Sequence, residues 1–223
     1  MSVTGKDFSA PTRRKILWAF LFSAAMAYFE AAVVVYLRLI YYPAGFDFPL
    51  VAISSGMILI ELGREAATIL MLVSIGLLCG RSKIERFAYL LLAFGIWDVM
   101  YYAWLEVQIG WPASLLTWDI LFLIPLPWVG PVLAPILVSV AMIWAALWII
   151  FHEDKGRILK FPRRAWWGEV FAGLVIIASF LWDAKNLTAG GYPNPFRWEI
   201  FGVGLLGGIA LFAWQMNKMK DEG

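Results

Sequence analysis

Residues 51–78 read VAISSGMILIELGREAATILMLVSIGLL. The run is apolar over its whole length except around Glu61, Arg64 and Glu65, which stand near its middle. A bilayer core is crossed by about 20 residues of helix, so this stretch is long enough to span. Each charge at the centre of such a helix costs about 2.5–3.5 kcal/mol. Three of them within five residues therefore require partners, water or a ligand. An ionisable group held inside a membrane marks a candidate functional site.

The rest of the chain repeats the apolar pattern. Of its 223 residues, 62% are hydrophobic, against about 45–50% in ordinary globular proteins. Six spans are expected, near 16–41, 51–79, 87–107, 131–151, 167–183 and 198–216. No hydrophilic stretch is long enough to build a second, soluble domain. Strand-period alternation is absent, which argues against a β-barrel. The expectation is an all-α integral membrane protein, a six-transmembrane-helix bundle forming a single domain over residues 1–223.

Lys and Arg set the expected orientation. Fourteen of the 18 basic residues fall in four segments that a six-span chain puts on one side. They are Lys6, Arg13, Arg14 and Lys15; Arg81, Lys83 and Arg86; Lys155, Arg157, Lys160, Arg163 and Arg164; and Lys218 and Lys220. Both termini are thus expected on the cytoplasmic face of a plasma (inner) membrane. The acids divide the other way. Seven share the basic side: Asp7, Glu85, Glu153, Asp154, Glu169, Asp221 and Glu222. Nine fall mid-span or beyond: Glu30, Asp47, Glu61, Glu65, Asp98, Glu106, Asp119, Asp183 and Glu199. The formal charge of +2 hides this separation. Trp and Tyr gather at both expected interfaces, as aromatic belts do.

The start carries Thr12-Arg13-Arg14-Lys15-Ile16-Leu17, which looks like a twin-arginine signal, and Ala25-Met26-Ala27, which looks like a cleavage site. The apolar run continues through Tyr42, so an uncleaved first span is expected. Residues 110–135 read GWPASLLTWDILFLIPLPWVGPVLAP, with five prolines. Pro112 is placed to open a short helix, and Pro125, Pro127 and Pro131 forbid a regular helix across the middle. A short helix or re-entrant piece on the outer face, over about 110–130, is expected. Gly204 and Gly208 form a GxxxG face suited to close packing within the molecule.

Helical spacing gathers the polar groups. Glu61, Arg64 and Glu65 share one face of the second span, and Ser54 and Thr68 extend that stripe. Asp98, Tyr101 and Tyr102 follow similar spacing in the third span. Glu30 lies past the middle of the first, with Arg38 two turns farther out. These residues and Asp119 are expected around a common cavity in the outer half. Arg64 is expected to bridge Glu61 or Glu65, Arg38 to pair with Glu30, and Asp98 to accept from tyrosines.

The acids outnumber the bases, so carboxylates remain to be protonated, hydrated or bound to a cation. In a metal reading, Glu30, Glu61, Glu65 and Asp98 are ligands for a hard ion such as Mg²⁺, Mn²⁺ or Ca²⁺. In a metal-free reading, Glu61, Glu65 and Asp98 are catalytic. Glu65 or Asp98 then acts as acid and Glu61 as base, with Arg64, Arg38, Tyr101, Tyr102 and Asp119 holding a lipid-like or cationic ligand. Structural zinc and haem are not expected with one cysteine, Cys79, and one histidine, His152; the histidine is expected at an exposed helix end. Glu61–Glu65 resembles the glutamate–arginine motif of CAAX-type intramembrane proteases. That family also needs paired membrane histidines, so the resemblance is set aside. The expected partner is the bilayer, not nucleic acid. An ion- or proton-coupled carrier and an accessory subunit of a membrane complex are the rival classes.

Overall fold

The computed structural model describes residues 7–124, 126–157 and 159–221, with only the backbone of Lys220 and Asp221. Lys6, Pro125 and Glu222, weighed above, lie outside the described residues. The described elements are α1 (Ala10–Tyr41), α2 (Ser55–Cys79), α3 (Lys83–Ile109), β1 (Trp118–Phe122), β2 (Trp128–Pro131), α4 (Leu133–Asp154), α5 (Arg163–Leu181), α6 (Ala184–Thr188) and α7 (Trp198–Asp221). Among the described residues, six helical segments are long and apolar enough to cross a membrane. These helices overlap the six expected runs, with α1 beginning six residues earlier, at Ala10.

Local chemistry sets several of these ends. Pro11 occupies the first turn of α1, where its missing N–H costs nothing. The Ser54 and Ser82 hydroxyls accept from the backbone N–H of Met57 and Glu85, capping α2 and α3. Gly110 closes α3 in the left-handed conformation, its N–H donating to the Glu106 carbonyl.

Helix α3 is the hub, packing against α1, α2 and α4, while α5 pairs with α7. The end of the bundle that carries the N-terminus is tied by polar contacts. Ser9 and Thr12 hydroxyls donate to Asp154 at 2.6 Å, and Lys15 Nζ donates to the Cys79 carbonyl at 2.6 Å. Above these contacts the space between helices is filled by Ala19, Tyr89, Leu92, Ile96, Ile149 and Ile150, all buried. His152 is half-buried rather than exposed. It stacks on Trp148 with ring centroids 3.9 Å apart, because i and i+4 lie on one helix face.

Close approach of α3 and α4 depends on Gly95. A Cβ there would stand 2.7 Å from the Ser139 carbonyl oxygen and 2.7 Å from Ile143 Cγ1. We therefore expect Gly95→Leu to destabilise the protein by about 1–3 kcal/mol through overpacking. Gly207, around which a Cβ meets nothing within 4 Å, should accept leucine with little change. Thermal unfolding midpoints of the two variants check this contrast. Gly204 packs on the Ala172 carbonyl and on Ile176, so the GxxxG face serves α5–α7 packing inside the molecule.

The Pro-rich segment corrects the expectation of a short helix. It forms an antiparallel β-hairpin in which Trp118 opposes Pro131, Asp119 opposes Gly130, Ile120 opposes Val129 and Phe122 opposes Trp128. The register shifts between Ile120 and Phe122. Aromatic and β-branched residues dominate WDILF and WV, which favours extended backbone over helix. The prolines lie outside the first strand and at the end of the second, where no ladder donor is lost. Gly130 lets the hairpin seat on Phe180 and Phe196, whose rings would lie 3.0 Å from a Cβ. Between helices, the strand pairing satisfies the backbone groups that a bare loop would leave open.

Candidate functional site

A cavity of about 370 Å³ lies among α1, α2, α3, the hairpin, α4 and α5. Its wall includes Glu30 and Arg38 from α1, Glu61, Arg64 and Glu65 from α2, and Asp98, Tyr101 and Tyr102 from α3. Asp119 from β1 completes the set. All nine candidate residues named from the sequence thus face one space. The spacing argument reached them because i, i+3 and i+4 positions share a helix face. Each polar face lies toward the interior: Glu30, Glu61 and Glu65 are each only 5% exposed.

Arg64 pairs with Glu61 as expected, and the other pairings differ from those expected. Arg64 sits between two carboxylates, bonding Glu30 through Nη1 and Glu61 at 2.9 Å. Glu30 also accepts from the Thr68 hydroxyl at 2.5 Å. Arg38 pairs instead with Asp119 at 3.0 Å, 81 residues away. Its guanidinium lies 3.7 Å from the Trp111 ring centroid and 4.8 Å from that of Phe46, a stacked arrangement that favours Arg over Lys. Asp98 accepts from the Ser139 hydroxyl at 2.8 Å rather than from a tyrosine.

Glu65 is held by backbone. The Leu123 N–H at the tip of the hairpin donates to both of its carboxylate oxygens, at 2.8 and 3.1 Å. Glu65 lies about 15 Å beyond the start of α2 at 1.5 Å per residue, so the tip reaches well between the helices. Farther up the hairpin, burial pushes the Asp119 carboxyl up to about 6, against the opposing pull of Arg38.

The metal reading does not fit this arrangement. Among the described residues no three carboxylate, histidine or cysteine side chains gather to hold an ion. The proposed ligands Glu30, Glu61, Glu65 and Asp98 are divided among other partners, and the Arg64 guanidinium occupies the position between Glu30 and Glu61. Ser54 also drops out, being an exposed cap of α2.

The sequence reading missed several parts of the wall. Ser139 is a lone hydroxyl in an apolar helix, a signal open to notice. Trp97 and Phe122 carry no signal in the sequence that separates them from other apolar residues, and Trp128 falls among the aromatics expected at an interface. The Leu123 contribution is a backbone N–H and carries no side-chain signal. Compared with known proteins, the chain matches no family model, and no curated protein or solved structure is similar to it.

Proposed function

We propose that this protein binds a lipid-soluble small molecule in the outer half of the membrane, with Asp98 among the polar groups that receive it. The observation that carries this reading is the cavity itself. Carboxyl and guanidinium groups from α1, α2, α3 and β1 share its wall with apolar side chains from α4 and α5. A volume of about 370 Å³ lies in the usual range of small-molecule sites, about 300–1,000 Å³. The concentration of Lys and Arg on the terminal side supports cytoplasmic termini, which puts the cavity and hairpin toward the outer leaflet.

Two features favour this reading over its rivals. A carrier would need polar groups continuing to the terminal end, where Tyr89, Leu92, Ile149 and Ile150 instead form an apolar core. An accessory subunit would present its charges to a partner helix, whereas these face inward.

Gly173 supplies the test. It lines the cavity, and a Cβ there meets nothing within 4 Å. Gly173→Phe should therefore fill the space without disturbing the backbone. Native mass spectrometry of protein released from membranes should show a retained lipid-soluble species, reduced about tenfold in Gly173→Phe. Equal occupancy in a variant of unchanged unfolding midpoint would sink the proposal.

A further inference from the structure

We propose that the cavity's ligand is an amphiphilic organic ammonium, its cationic head taken by Asp98 and Asp119 and its apolar tail lying against α4 and α5. The inference rests on the binding reading above and names the chemical class.

Charge is the first argument. Five carboxyl groups and two guanidinium groups line the cavity. Arg64 is taken by Glu30 and Glu61, and Arg38 by one oxygen of Asp119. Glu65 is satisfied by a backbone N–H. Asp98 has a hydroxyl partner and, among the described residues, no ion pair. Asp119 is 2% exposed, and its Oδ2 makes no hydrogen bond of good geometry among the described residues, although the Tyr102 hydroxyl and the Ile120 N–H lie close enough to favour its charged form. Acceptor capacity therefore exceeds the cationic groups in a place where uncompensated charge is costly.

Aromatic rings are the second, independent argument. Tyr101 stacks on Trp97 with centroids 6.5 Å apart, and Trp97 meets Phe122 at 6.3 Å. Phe122 meets Trp128 at 5.9 Å, and Trp128 stacks on Phe180 at 6.3 Å. All five rings belong to the cavity wall. Aromatic rings beside carboxylates are the recognised surroundings of ammonium groups, attracting them through the ring quadrupole. A hard metal ion would need about six converging oxygens, which the site does not gather. An anionic head would find Arg64 shared by Glu30 and Glu61, and of Arg38 only Nη1, buried beneath Trp111 and Phe46, without a partner among the described residues. Apolar residues such as Val138, Met142, Ile176 and Ile177 complete the wall, which suits a tail rather than a small hydrated cation.

Three probes with one chain length test the assignment: decyltrimethylammonium, 1-decanol and decanoate. Each is titrated by native mass spectrometry onto the full chain in nanodiscs of zwitterionic lipid. The wild type should bind the ammonium at least tenfold more tightly than the alcohol, and decanoate weakest. Asp98→Asn, of nearly equal size, should lose that tenfold preference while keeping the alcohol. Gly173→Phe should weaken the ammonium and the alcohol alike. Equal or tighter binding of decanol or decanoate by the wild type overturns the ammonium assignment and leaves the lipid-binding reading standing. Failure of all three probes to bind overturns both. The wild-type ranking decides the matter should Asp98→Asn fail to fold. A folded Asp98→Asn that retains the full preference removes Asp98 from the assignment.

Discussion

Arg64→Met is expected to destabilise the protein by about 3–5 kcal/mol, the cost of leaving a buried charge without its partner. Glu30 and Glu61 both bond Arg64, and both side chains are only 7% exposed. Removing the guanidinium leaves two carboxylates facing each other in a low-dielectric interior. A loss of several degrees or more in the unfolding midpoint, with reduced yield from the membrane, is the expected result. Glu30→Gln and Glu61→Gln added to Arg64→Met should recover most of that loss, since replacing a whole buried network by neutral groups is often close to neutral. A triple variant as unstable as Arg64→Met alone would mean that the arginine acts through packing. Because α1 and α2 otherwise touch only lightly, the Arg64 bridge between Glu30 and Glu61 is a principal tie between them. That role explains why Arg64 and Glu61 sit in so apolar a helix.

Span number and approximate place followed from length and apolarity, because a helix is the simplest way to satisfy backbone groups in lipid. The grouping of Glu61, Arg64 and Glu65 with Asp98 followed from helical spacing. The Arg64–Glu61 pair was legible in the i,i+3 spacing, but the long-range pairs were not. Placement on one helix predicts a pair of Arg38 with Glu30, yet Arg38 bonds Asp119, 81 residues on. Long-range partners depend on how helices rotate against one another. In a membrane, lipid-facing and core-facing residues are both apolar, so sequence periodicity leaves that rotation open. The hairpin was hidden for a different reason. Prolines rule out a regular helix without saying what replaces it, and the choice of strand depended on Phe180, Phe196 and Glu65 being in place to receive it. The pairing of Leu123 with Glu65 involves backbone, which every residue but proline offers alike.

The hairpin is held at two points, and loss of either should be readable. Asp119→Leu leaves Arg38, 9% exposed, buried beneath Trp111 without its carboxylate, at an expected cost of about 3–5 kcal/mol. Asp119→Leu combined with Arg38→Met should restore most of that stability, because neither charge then remains to be compensated. At the tip, Leu123→Pro removes the N–H that both Glu65 oxygens accept. Leaving a buried carboxylate short of a charge-assisted bond should cost about 1.5–3 kcal/mol. Hydrogen exchange separates the two effects. Amides of β1 and β2 should lose protection throughout in Asp119→Leu, but chiefly toward Phe122 and Trp128 in Leu123→Pro. The hairpin lines the cavity from Asp119 to Leu123 and at Trp128, so an occupying ligand should slow exchange there in the wild type. Exchange in the hairpin as slow in Asp119→Leu as in the wild type would show that Gly130 packing on Phe180 and Phe196 suffices to hold it. The buried Arg38–Asp119 pair would then owe its place to the ligand rather than to the fold.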